Sequence, residues 1–200
     1  MPRSFEQLIA RCHILHVEPN FDYSKTIGGM LMRNGAASVV HAKSCSKVNR
    51  QNLNRKTDIV LLDYDKDFKA AEALVRKIRR VETGADPFVA IFATQTTASE
   101  QAVRKEKSAG FDGILLKPFS LDVFFAHVEN VANSERRFVV SEAYIGPDRR
   151  EKNRTDSHSK VYPAPNRLKL KMTGDIVATD VTKWRKFWLK KLAGPEYVDV

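Results

Sequence analysis

Two shortages narrow the reading first. The chain has only two cysteines, Cys12 and Cys45, and no apolar run near the roughly 20 residues that span a bilayer. Its start, Met1-Pro2-Arg3-Ser4, leads into Phe5-Glu6-Gln7 and not into an apolar signal segment. Together these predict reduced thiols in a cytoplasmic protein, not a disulfide framework. Also missing are a glycine-rich phosphate loop, a nucleophile–base pair, zinc-ligand spacing, a helix-turn-helix pair and an RNA-binding signature. Small-molecule catalysis and a DNA-binding output domain are therefore left without a motif. There is no internal repeat or low-complexity block, and 200 residues suffice for one domain and an extension.

What is present begins with charge. The net charge is +10, with 21 Lys+Arg against 16 acids in residues 1–137 and 13 against 8 in residues 138–200. The second part packs an equal surplus into less than half the length, which favours association with anionic partners but says nothing of fold.

Along the chain, five short apolar runs alternate with five segments of helical period. The runs are Cys12–Val17, Ser38–Ala42, Asp58–Leu62, Phe88–Phe92 and Gly113–Leu116. Ile27, Met30 and Leu31 mark a helix before Asn34-Gly35, and Ala71, Leu74, Val75 and Ile78 fall at i, i+3, i+4 and i+7. The polar stretch through Asn54 reads as a weak helix, and another helix is expected from about Ala98 to Ala109-Gly110. Ser120 is a good N-cap for the next, whose apolar face is Leu121, Phe124, Phe125, Val128 and Val131. Strands this apolar are buried on both faces. The alternation predicts an α/β fold, a doubly wound, five-stranded parallel sheet. Beyond Asn133 the pattern breaks. The expected layout is a lead-in over 1–11, the α/β domain over 12–135 and a basic extension over 136–200, with an amphipathic helix near 181–192.

Sites in such sheets form beyond the carboxyl ends of the strands. Those ends carry Glu18-Pro19-Asn20, Asp63-Tyr64-Asp65, Ala93-Thr94 and Lys117-Pro118. A carboxylate can act as nucleophile, a lysine and a hydroxyl can hold transferred oxygens, and acids can hold Mg²⁺ against the charge. This is the inventory of a phosphoryl-transfer site.

From about Cys12 to Asn133 the chain resembles the CheY-like receiver domain of two-component response regulators. The resemblance rests on Leu61-Leu62-Asp63, on the ungapped run from Asp63 to Arg79, and on Ala109-Gly110-Phe111-Asp112-Gly113-Ile114-Leu115-Leu116-Lys117-Pro118-Phe119. It implies the strand order 2-1-3-4-5, Asp63 as phospho-acceptor, Lys117 as its phosphate partner and Thr94 as the switch hydroxyl. Ala93 and Thr96 are the alternatives to Thr94, because one extra residue precedes Gly110. It also implies a cis Lys117–Pro118 bond, Mg²⁺ held by Glu18, Asp63 and Asp65, and a histidine kinase or phosphotransfer protein as phosphoryl donor.

The departures from the family are specific. Its two adjacent acids after strand one are here Glu18-Pro19, its Met-Pro after the acceptor is Lys66-Asp67, the Gly that follows is Ala71, and its aromatic switch position is Ile114. Weakened Mg²⁺ binding is expected. Two functions follow: a receiver phosphorylated on Asp63 that signals by protein contact, or a phosphorylation-independent adaptor whose tail binds a partner or a membrane surface. Asp63 as a simple helix cap is the plainest alternative for that residue. Cys12 and His16 share a strand face without His13, so core packing is expected there rather than metal ligation. Arg149-Arg150-Glu151-Lys152-Asn153-Arg154 matches the opening of cyclic-di-GMP-binding PilZ domains, but the length and the later Asp/Asn-x-Ser-x-x-Gly of that domain are absent. Tyr144 to Arg150 resembles instead the Gly-Pro-Asp-Arg-Arg extension of some stand-alone receivers. Trp184, Phe187 and Trp188, set among lysines, are expected to dock on the protein or a partner, or to lie on an anionic membrane.

Overall fold

The computed structural model describes Ile9, residues 11–97, 108–141, 143–149 and 160–173, and residues 186, 187 and 190. Five parallel strands, β1 (His13–Val17), β2 (Ser38–Ala42), β3 (Thr57–Asp63), β4 (Ala90–Gln95) and β5 (Gly113–Leu116), form one sheet in the order β2-β1-β3-β4-β5. This is the doubly wound sheet the sequence predicts. β4 starts two residues later than the apolar run suggests, because Phe88 and Val89 sit in the entry turn, where the Val89 amide donates to the Asp86 carbonyl.

Among the described residues, the helices α1 (Phe21–Arg33), α2 (Phe68–Arg79) and α3 (Leu121–Asn133) flank the sheet. Each has a side-chain N-cap. Asn20, Asp67 and Ser120 accept from the amides of Tyr23, Ala70 and Val123, an arrangement that stabilises a helix by about 1 kcal/mol. Because strand side chains alternate, the sheet has two cores. Ile14, Ile59, Leu61, Phe92 and Leu115 pack with α1 and α3 on one face, while Leu15, Val60, Leu62 and Ile91 pack with α2 and Phe111 on the other. Of the helix expected from Ala98, only Ser108 and Ala109 are described; both are helical, and Gly110 closes it at φ +100°.

The weak helix expected before Asn54 is not formed. A 3₁₀ turn over Cys45–Lys47 is followed by turns. The reason is local: the Asn49 side chain accepts from the Gln51 amide, Asn52 donates to the Lys47 carbonyl and accepts from the Asn49 amide, and Asn54 accepts from the Lys56 amide. Asparagine side chains thus take the backbone groups a helix would use.

The extension is folded onto the first domain. β6 (Arg137–Val140) pairs antiparallel with β7 (Ile145–Pro147) and β8 (Lys160–Pro163), and α4 (Arg167–Thr173) follows. Phe138 packs edge-on to Phe88 at 5.0 Å between ring centroids, with Val81 beside them. Trp184 and Trp188 of the expected 181–192 helix lie outside the described residues, whereas Phe187 meets Tyr162 of β8 at 5.2 Å. No helix among the described residues is long and apolar enough to cross a membrane.

Candidate functional site

Parallel strands of different lengths end on one edge, and four of the predicted residues meet there. β3 ends at Asp63, which pairs in register with Thr94 on β4, so both side chains leave the same face of the sheet. Lys117 follows β5 and is fixed by its amide, which donates to the Gln95 carbonyl at 2.7 Å; the peptide to Pro118 is cis, as the resemblance implies. The Lys117 ammonium lies 2.6 Å from Asp63 Oδ1, 3.0 Å from Asp65 Oδ2 and 3.3 Å from Glu18 Oε2. It also stands 5.7 Å from the centre of the Tyr23 ring, a cation–π contact that sequence reasoning missed because α1 carries the ring.

The carboxylates are held from behind. Asp63 Oδ2 accepts from the Lys66 amide at 3.0 Å, and Glu18 Oε1 from the Asn20 amide at 2.9 Å. The Glu18 carbonyl accepts from His41 Nε2, a partner for a histidine to which the sequence assigns none. Asp65 accepts from the amide and hydroxyl of Thr96, so Thr96 is engaged with Asp65, while Thr94 stands in register with Asp63. Ala93, the other alternative, points into the opposite core. The Thr94 hydroxyl is fully buried and has no hydrogen-bond partner among the described residues. Asp67, and not Asp63, caps α2.

Burial alone pulls the Lys117 ammonium down, but its hydrogen bonds to Asp63 and Asp65 and the charges of Asp63 and Glu18 outweigh this and hold it above the usual lysine range. Burial, with Asp67 and Asp63 nearby, pushes the Cys45 thiol up to about 11, so it supplies no thiolate beside the site. Three carboxylates against one ammonium leave two formal negative charges, and their hard oxygens suit Mg²⁺. Among the described residues, no three His, Cys, Asp or Glu side chains are grouped as a metal site; Lys117 spans the carboxylates instead. Cys12 and His16 are core residues. The His16 ring is buried with neither nitrogen bonded, and His13 Nδ1 pairs with Ser38 Oγ.

The sequence missed a second cluster, at the amino ends of the strands. Asp58 accepts from Arg167 and Lys171, Asp86 from Arg167, and Asp112 from Arg79 and Arg136. It therefore takes up four of the chain's cations, three of them from the extension.

No protein-family model and no curated protein matches the chain. Solved structures do. A response regulator from Thermotoga maritima is similar at 21% identity and a TM-score of 0.52, covering 62% of this chain and 98% of that one. A two-component response regulator from Clostridium difficile is similar at 23% identity and 0.51, covering 60% and 93%. The chemotaxis protein CheY4 of Vibrio cholerae is similar at 18% identity and 0.51, covering 60% and 97%. Likeness at these identities is likeness of fold. With the strand order and the carboxyl-end cluster in place, the larger part of this chain has the fold of a CheY-like response regulator receiver domain.

Proposed function

We infer that the receiver-like part of this chain acts as a response regulator of a two-component system and accepts a phosphoryl group on Asp63. The observation that supports this most is Lys117 Nζ at 2.6 Å from Asp63 Oδ1, with the buried, unpartnered Thr94 hydroxyl in register beside it. A carboxylate oxygen of Asp63 attacks phosphorus as the P–N bond of a phosphohistidine breaks, and the imidazole nitrogen keeps the electron pair. A histidine kinase or phosphotransfer protein is thus the donor. Lys117 leaves its contact with the bare carboxylate for a phosphoryl oxygen, and Thr94 gains the acceptor it lacks. Glu18, Asp63 and Asp65 would hold Mg²⁺, which when bound offsets the negative charge gathered there. Pro19 brings no side-chain oxygen to that set, so its affinity is low. The output is a protein–protein contact.

The test is labelling by acetyl phosphate with Mg²⁺, read by intact mass, on the full chain and on Asp63→Asn. A single phosphoryl adduct that disappears in the variant is expected. A second reading, a phosphorylation-independent adaptor, draws on Pro19 and on Lys117 already spanning all three carboxylates. It prevails if no adduct forms with acetyl phosphate or with a cognate kinase.

A further inference from the structure

The segment that fails to become a helix leaves an opening. A groove of about 430 Å³ runs between the 45–53 loop and the outer face of α2. Its floor is apolar, with Val48, Leu53 and Leu74; its rim carries Arg50 and Lys77, with Asn49 between and Glu82 the one acid. That volume lies in the range of binding clefts and admits two or three aliphatic side chains. The asparagine bonds that replace the helix also fix the loop, so the groove is formed in advance and little ordering accompanies binding.

The surroundings are mainly cationic. Between Ala42 and Thr57 the chain has Lys43, Lys47, Arg50, Arg55 and Lys56 and no acid, and all five are exposed. Across the groove, α2 exposes Lys69, Arg76 and Lys77, and Arg80 follows; Glu72 accepts from the Tyr64 hydroxyl at 2.7 Å and lies 3.7 Å from Arg76. Of the acids farther off, Asp58 is engaged at the amino end of β3, and Asp63 and Asp65 with Lys117; Asp67, which caps α2, and Glu82 remain exposed. An apolar floor inside a cationic rim complements an amphipathic segment with aliphatic residues on one face and carboxylates on the other. Among the described residues, no aromatic side chain lines the groove, and so none offers the platform on which single-stranded bases stack.

We propose that this groove is a docking surface for an acidic amphipathic helix of a partner protein. The proposal stands whether or not Asp63 is phosphorylated. The test is an NMR titration of the ¹⁵N-labelled full chain with a synthetic helical peptide bearing leucine at i, i+3, i+4 and i+7 and glutamate elsewhere. The same composition scrambled and a single-stranded oligonucleotide serve as comparisons. Saturable shifts centred on Val48, Leu53 and Leu74 are expected with the amphipathic peptide alone. Arg50→Glu with Lys77→Glu should weaken binding roughly tenfold or more, whereas the same charge change on α1, Lys25→Glu with Arg33→Glu, should not. Ala73→Glu, on the exposed face of α2 at the groove, is a second variant whose fold does not depend on the loop cations. The proposal is overturned by absence of saturable binding, by equal binding of the scrambled peptide, or by equal weakening in both double variants. It is overturned equally if the oligonucleotide shifts the same residues at lower concentration, which would make the face a nucleic-acid surface.

Discussion

The two ends of the sheet use the same chemistry in opposite ways. At the amino ends, Asp58, Asp86 and Asp112 meet Arg79, Arg136, Arg167 and Lys171, so the acids are fully neutralised. At the carboxyl ends, Glu18, Asp63 and Asp65 share Lys117. The first cluster is closed: the Asp58 side chain is 0% exposed and that of Asp112 4%. The second stays in reach of water through Asp65, whose side chain is 30% exposed. A buried cluster in which every acid has a cation fixes a structure, and removing an acid leaves its cations uncompensated. A cluster with surplus carboxylate holds repulsion that a cation or a rearranged lysine relieves, which is the condition for an exchangeable site. The extension therefore belongs to the structural end: its cations and Phe138 complete the base of the domain.

The sharpest way to break this contrast is at Asp112. Asp112→Ala leaves the guanidiniums of Arg79 and Arg136 buried, both stacked at 5.3 Å on Phe138, and strands the Ile91 amide. A loss of about 3–5 kcal/mol is expected from urea unfolding, a large share of the stability of any domain of this size. Arg167→Met should cost somewhat less, about 3 kcal/mol: Lys171 remains on Asp58 and the Arg167 side chain is 16% exposed, but Asp86, its side chain 1% exposed, loses its cation. Equal or smaller losses at these positions than at the carboxyl-end cluster would dissolve the distinction.

Much of the sheet was legible because each strand is a short, mainly apolar run set between segments of helical period; of the three helix caps only Ser120 was read from the sequence. The carboxyl-end cluster was legible because strand ends are fixed once strands are. Thr94 needed the structure: chain spacing left Ala93 and Thr96 open, and only the hydrogen-bonded register of β3 with β4 sets it opposite Asp63. The amino-end cluster left no signal, since Asp58 and Lys171 are 113 residues apart and no local period links them. The weak helix before Asn54 failed for a local reason: polar spacing does not show whether Asn49, Asn52 and Asn54 turn outward or bond the backbone.

His16 gives an effect of intermediate size that links the two ends through pH. Burial, with His41 and Lys117 nearby, lowers its pKa from 6.5 to about 3. An unfolded chain therefore binds a proton in that window that the folded chain refuses. Stability falls as pH falls from 6.5 toward 3, by at most about 1.4 kcal/mol per pH unit, and is unaffected by His16 above 6.5. His16→Phe should flatten the stability–pH curve between 6.5 and 4 in chemical unfolding, whatever its own cost in packing. An unchanged slope would mean that the ring is hydrated in solution.

The smallest effect is expected where function is proposed. Asp63→Asn removes one negative charge from a cluster that has two in excess, while its amide can still accept from the Lys66 amide. Stability should change by less than about 1 kcal/mol, and a gain is the natural sign, because Glu18 and Asp65 then share Lys117 with less repulsion. Lys117→Ala moves the balance the other way, leaving three carboxylates with no ammonium among them, so it should destabilise, and added Mg²⁺ should restore part of the loss. Thermal unfolding of both variants, with and without Mg²⁺, measures the two signs. If Asp63→Asn costs as much as Asp112→Ala, the carboxyl-end carboxylate is a structural partner of Lys117 and not a spare acceptor. A gain in stability together with loss of the phosphoryl adduct is the signature of a residue kept in place against the interest of the fold.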